Sequence, residues 1–283
     1  MPDHVRINPA FRRHPDEAEI IGRLVVGFGE IELAHCRNAA KALRFYRMAL
    51  YDTVMNTLYR IRSTSTRIET ADNLMRPMFV DEKLGAEYAD CVRQILHCQK
   101  IRNQFAHCNW ADDAESVGLF FTDLQSTELS AAGEFCDHVF KHVDAAILSR
   151  QEMFFSNTMD WLDYLDHEIA THQGKLDRNP WPLPAKLPPP LLHNPTAEHV
   201  PPWLGEGEKA LHLARATAAQ TGVPTPTRGQ LELDAARAAK KARQEANNLR
   251  SRVGEARPAE YSGSEPNEPQ QPQSPASQEE PKA

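Results

Sequence analysis

No stretch of this chain approaches the roughly eighteen consecutive apolar residues that a membrane-spanning helix requires. The first residues, Met1 to His14, carry Arg6, Arg12 and Arg13 without an apolar run, so neither a signal peptide nor a membrane span is expected and the chain reads as cytoplasmic. Cysteine is sparse: there are five, an odd number, and Cys91 and Cys98 fall on what reads as the apolar face of a helix. That pattern argues against a disulfide scaffold and for a reducing compartment. A Gly-rich phosphate loop, a Gly-x-Ser-x-Gly elbow and an internal repeat are all missing. His97-Cys98 and His107-Cys108 repeat a pair ten residues apart. Adjacent helical residues diverge by about 100°, and Cys-x-x-Cys spacing is absent, so no metal site and no cofactor are expected. The net charge of −7 over 283 residues argues against a general polyanion-coating role, while leaving local basic stripes free to steer RNA or DNA.

What the sequence does contain changes along its length. Up to about Lys175 it is rich in Leu, Ile, Val, Phe and Tyr, enough for one well-buried core; beyond that proline dominates. The expected division is a flexible N-terminus (1–14), an all-α helical bundle (15–175), a Pro-rich linker (176–228), an isolated Ala/Lys/Arg-rich helix (229–253) and a disordered tail (254–283).

Within the bundle, Pro15 with Asp16, Glu17 and Glu19 opens a first helix running to about His35. A second, from about Arg37 to Arg62, carries Arg37, Lys41, Arg44 and Arg47 on one flank. Such a flank suits phosphate tracking and is also what an ordinary solvated helix face looks like. A short third helix, about Thr66 to Arg76, is expected to stop before Pro77. Asp81-Glu82 is read as the cap of a central helix reaching Arg102 to Phe105. Val117 to Leu124 reads as a strand, completing a small β-hairpin with Cys108 to Ala111. A last long helix opens at Thr127 or Ser130 with Phe135, Val139, Val143 and Ile147 on its core face.

The central helix carries the most informative residues. Leu84, Tyr88, Cys91, Ile95, Cys98 and Phe105 form one apolar stripe at spacings of three, four and seven, and Arg102 falls inside it. A buried guanidinium needs a partner: a carboxylate such as Glu30, Glu32 or Glu87, or an anionic substrate meeting Arg102, Asn103 and His107. The run Arg102-Asn103-Gln104-Phe105-Ala106-His107, of the form Arg-Asn-x-x-x-His at the end of a bundle helix, resembles the signature of the HEPN superfamily.

That resemblance implies a HEPN-like helical bundle with a small β-hairpin insertion, paired as a homodimer, with Arg102, Asn103 and His107 of two copies facing one cleft. It implies a metal-independent endoribonuclease of a toxin–antitoxin, defence or RNA-processing type, with RNA as substrate and an antitoxin or other protein as partner. Asn109 and Trp110 would sit at the rim of the cleft. Histidine suits proton transfer near neutral pH, and arginine suits the charge building on a phosphorane. The alternative is a non-catalytic helical module that binds RNA or protein.

Overall fold

The computed structural model describes residues 9–42, 48–112, 117–123, 139–221, 233 and 236–246. A short helix α1 (Pro9–Arg13) leads into α2 (Pro15–Ala42), whose first turn carries Asp16 and Glu17 at the positive end of the helix dipole. Helices α3 (Met48–Arg60), α4 (Thr64–Asp81), α5 (Gly85–Ala106) and α6 (Ala145–His172) complete the bundle. Leu24, Phe28 and Ile31 of α2 share one core with Ile68, Met75 and Phe79 of α4, Tyr88, Ile95 and Ile101 of α5, and Leu148, Phe154 and Trp161 of α6.

Helix directions follow from side-chain pairings. Along α2, Arg23 meets Glu152, Asn38 Nδ2 donates to Leu162 O at 3.2 Å, and Lys41 Nζ meets Asp166 at 2.6 Å, so α2 and α6 run parallel. Thr158 faces Gln94 and Cys98, whereas Gln151 and Gln104 both donate to Leu192 O, so α5 and α6 run antiparallel.

Three expected boundaries differ. The break expected near His35 is absent because Cys36, Ala39 and Ala40 are fully buried and carry α2 on; residues 43–47 lie outside the described set. Helix α4 does not stop before Pro77 but contains it. Pro77 and Asn73, whose carbonyl the proline ring leaves without a donor, are both solvent-exposed, while Met75 and Phe79 anchor the helix on its other side. Asp81 and Glu82 end α4 rather than capping α5: Lys83 takes φ 64°, with Lys83 N bonded to Val80 O and Leu84 N to Phe79 O.

The expected hairpin is present. Strand β1 (Cys108–Ala111) pairs antiparallel with β2 (Leu119–Asp123), Trp110 opposite Phe121. A third strand, β3 (Lys141–Val143), pairs with β2. It claims Val143, which the sequence placed in the last helix; that helix starts only after Asp144, whose Oδ1 accepts from Ile147 N at 2.9 Å. Thr127, Ser130 and Phe135 lie outside the described residues.

The largest departure from expectation is the Pro-rich segment, which is packed rather than a free linker. Its backbone carbonyls accept from core side chains: Trp161 Nε1 to Ala185 O at 3.2 Å, His97 Nε2 with Pro190 O at 2.9 Å, Gln104 Nε2 to Leu192 O at 2.7 Å and Gln151 Nε2 to Leu191 O at 2.8 Å. Proline removes donors, not acceptors. An extended chain rich in it can therefore satisfy buried donors on α5 and α6, while Leu187 and Leu192 pack on the core. The segment then bridges to β3 at Asn194, lays Trp203 against Phe120, and forms an unexpected helix, α7 (Glu206–Thr221).

Contacts group Met1–Pro226 into one unit and Thr227–Ala283 into another. Within the second, 236–246 is helical and exposed, inside the expected helix 229–253; residues 254–283 lie outside the described set. Among the described residues no helix is long and apolar enough to cross a membrane.

Candidate functional site

Helix α5 ends at Ala106, so Arg102 and Asn103 occupy its last turns and His107 is its C-cap, at φ −133° and ψ 40°. Leu96, Lys100, Asn103 and His107 are exposed and follow spacings of four, three and four, which puts them along one solvent-facing side of the helix. Arg102 is not in the core stripe. Ile101 and Phe105 fill the interior positions, and Arg102 is half-buried beside them with its Nη1 donating to Asn103 Oδ1 at 3.2 Å. This bond draws the guanidinium toward the side that Asn103 and His107 share.

The carboxylates expected to answer Arg102 are elsewhere. Glu32 pairs with Arg67, whose Nε also donates to Leu58 O at 3.2 Å and Nη2 to Ile61 O at 2.6 Å. Glu87 lies in the first turn of α5, roughly 22 Å of helix away, and Glu30 is exposed on α2. Among the described residues, Arg102 has no carboxylate partner.

Behind the motif, Trp110 packs against Phe11, Phe105 and Phe121 at centroid separations of 5.3, 5.7 and 5.2 Å. It is half-buried and serves first as an aromatic anchor tying β1 to α1 and α5. Asn109 is exposed, opposite Thr122 and on the other face of the strand from Trp110. The neighbouring Asp112 is clamped by Arg13, which lowers its carboxyl below the usual range through that hydrogen bond.

The structure does not bring Arg37 or Lys41 of the basic flank to this site. Lys41 is paired with Asp166 at the far end of α2, roughly 40 Å of helix from Arg13. Arg37 is exposed on the same distal stretch, and Arg44 and Arg47 lie outside the described residues.

Sequence reasoning also missed a histidine cluster at the sheet edge. His142 accepts at Nδ1 from Asn194 Nδ2 at 3.0 Å and donates from Nε2 to Val117 O at 2.7 Å; Asn194 Nδ2 also reaches Asp144 Oδ2 at 2.8 Å. Burial holds its pKa below the usual value, with the adjacent His199 ring, stacked at 4.2 Å, acting the same way. Gly118, at φ 94°, leaves room for that ring: a Cβ there would lie 2.9 Å from His142 Nε2. With both nitrogens occupied His142 is a structural group. His193 is engaged by Asn194 O and His14 faces Glu17 and Asp112, so among the described residues the exposed ring at this end is that of His107. The sequence carried no periodic signal for this cluster, because its members come from β3 and from a segment without regular structure.

Among the described residues no group of three or more His, Cys, Asp or Glu side chains is placed to hold a metal ion. No protein-family model, curated protein or solved structure matches the chain.

Proposed function

We propose that this chain is a HEPN-like endoribonuclease that acts as a homodimer, with Arg102, Asn103 and His107 of each copy facing a shared cleft. The observation that carries the reading is the state of Arg102: half-buried, tethered to Asn103 and without a carboxylate partner among the described residues, whereas Arg67 is fully paired in the core. A guanidinium held in place and not neutralised is what a phosphate needs.

In this reading the RNA 2′-hydroxyl gives up its proton and attacks phosphorus, the P–O5′ bond breaks, and the 5′-oxygen takes a proton as it leaves. His107 moves a proton at an imidazole nitrogen, and Arg102 binds the phosphorane charge. Because the motif lies on an exposed side of α5, a second copy supplies the opposite wall. The products would be a 2′,3′-cyclic phosphate and a 5′-hydroxyl, and finding them after incubation of single-stranded RNA with the purified protein tests the proposal. A second reading, RNA or protein binding without cleavage, is favoured by one feature: among the described residues nothing hydrogen-bonds the His107 ring to orient it. An antitoxin or similar partner would, in either reading, cover this face.

A further inference from the structure

A cavity of about 400 Å³ opens at the end of the bundle away from Arg102, where α2, α4 and α6 meet the turn after α6. Its size is in the range of small-molecule sites, about 300–1,000 Å³. The inner wall is apolar, with Met78 and Phe79 from α4 and Ile169 and Ala170 from α6, and the exposed Leu176 also lines the cavity. Phe79 is stacked on the buried Tyr88 at 4.3 Å and 4°, so it cannot swing inward to fill the space without giving up that contact.

The mouth is polar and carries more positive than negative charge. Among the described residues Lys41 and Lys175 border it with a single carboxylate, Asp166, which pairs with Lys41. Gln173 accepts from Lys175 through Oε1, and its Nε2 donates to the Met78 thioether at 3.7 Å. A thioether is a weak acceptor for an amide N–H, so an oxygen brought into the cavity would displace it. The turn bearing Gln173 and Lys175 is fixed by Gly174 at φ 68°, with Gly174 N bonded to Thr171 O and Lys175 N to Ala170 O.

An apolar wall beneath two ammonium groups and an under-used amide donor matches one ligand chemistry. We propose that this cavity binds an amphipathic monocarboxylate, its aliphatic chain against Phe79, Met78 and Ile169 and its carboxylate at Gln173, Lys175 and Lys41. The site is independent of the RNA reading, since no group in it belongs to the motif.

Titration calorimetry of the full chain with decanoate, below its micellar concentration, tests the proposal. One decanoate per chain should bind saturably, and decanol, with the same chain and no charge, should bind at least about tenfold more weakly, the loss expected for one charge-assisted hydrogen bond. Ala170→Trp places an indole in the cavity and should abolish binding while preserving the helical circular dichroism. Lys175→Met, on an exposed turn and safe for folding, should bring decanoate down to the affinity of decanol. No saturable decanoate binding, equal affinity for the acid and the alcohol, or full binding by folded Ala170→Trp would each overturn the assignment.

Discussion

Arg102 donates through Nη1 to Asn103 Oδ1 at 3.2 Å, a bond between neighbours whose side chains leave an α-helix about 100° apart. Asn103 and His107 are four residues apart and lie on one exposed side, so the bond turns the arginine toward the histidine. Five residues on an ideal helix would separate Arg102 from His107 by about 140°. The tether through Asn103, and the departure of His107 from helical geometry, are what the proposed single site relies on to offset that angle.

Asn103→Ala should therefore lower RNA cleavage by about tenfold to a hundredfold, the worth of ~1.4–2.7 kcal/mol of lost transition-state positioning. Because Asn103 is exposed, its loss should move unfolding stability by no more than about 0.5 kcal/mol. Cleavage rates and urea midpoints on the same preparation separate the two effects. An unchanged rate would mean that the tether is incidental.

The two arginines should respond in opposite ways to truncation. Arg67→Met strands Glu32, which like Arg67 is nearly buried, and removes two bonds to helix-end carbonyls; the expected loss is about 3–5 kcal/mol, the range for breaking a buried pair. Arg102→Ala strands no carboxylate and should cost about 1 kcal/mol or less. Equal destabilisation by both would mean that Arg102 is a structural residue.

Truncation after Asp177 should destabilise the bundle. It removes the carbonyl acceptors of Trp161, His97, Gln104 and Gln151, and each buried donor left unpaired costs about 1–3 kcal/mol. A lowered urea midpoint, or loss of cooperative unfolding, is expected. An unchanged midpoint would show that the segment lies on the bundle without supporting it.

Legibility in the sequence followed the kind of signal each element carries. The 3.6-residue pattern located the long helices of the bundle and the short apolar, aromatic run Val117 to Leu124 located the hairpin, because both signals are local. Helix ends were read poorly where tertiary packing outweighed a local breaker. Pro77 sits on a solvent-facing side and breaks nothing, and Glu82 ended a helix where it was read as starting one. The packed Pro-rich segment was invisible because its partners, Gln104 and Gln151, lie about ninety and forty residues away in sequence and proline composition speaks only of missing donors. The motif was legible as residues; the tether between Arg102 and Asn103, and the distance of Lys41 from it, were not.

Acidification should weaken the fold. His35 is fully buried, and burial lowers its pKa from 6.5 to about 4. Below pH 6.5 the unfolded chain binds a proton there that the folded chain does not, so stability falls as pH drops from 6.5 to about 4 and levels off below. This one group accounts for at most about 3 kcal/mol. Half-buried His97 and His193 and buried His142 and His212 shift in the same direction, desolvation being the first cause in each. Urea unfolding at pH 7.5 and pH 5 should show the drop, and His35→Gln should flatten it. A pH-independent midpoint would contradict it.

The most direct measurement is cleavage of single-stranded RNA by the full chain in excess EDTA, with His107→Ala and Arg102→Ala run beside it at matched helical circular dichroism. The parent should release fragments ending in 2′,3′-cyclic phosphate, and both folded variants should lose the activity by at least about a thousandfold, as removal of a proton-transfer group or a transition-state cation requires. Undiminished cleavage by either folded variant, or none by the parent on any RNA, would contradict a catalytic role for Arg102 and His107.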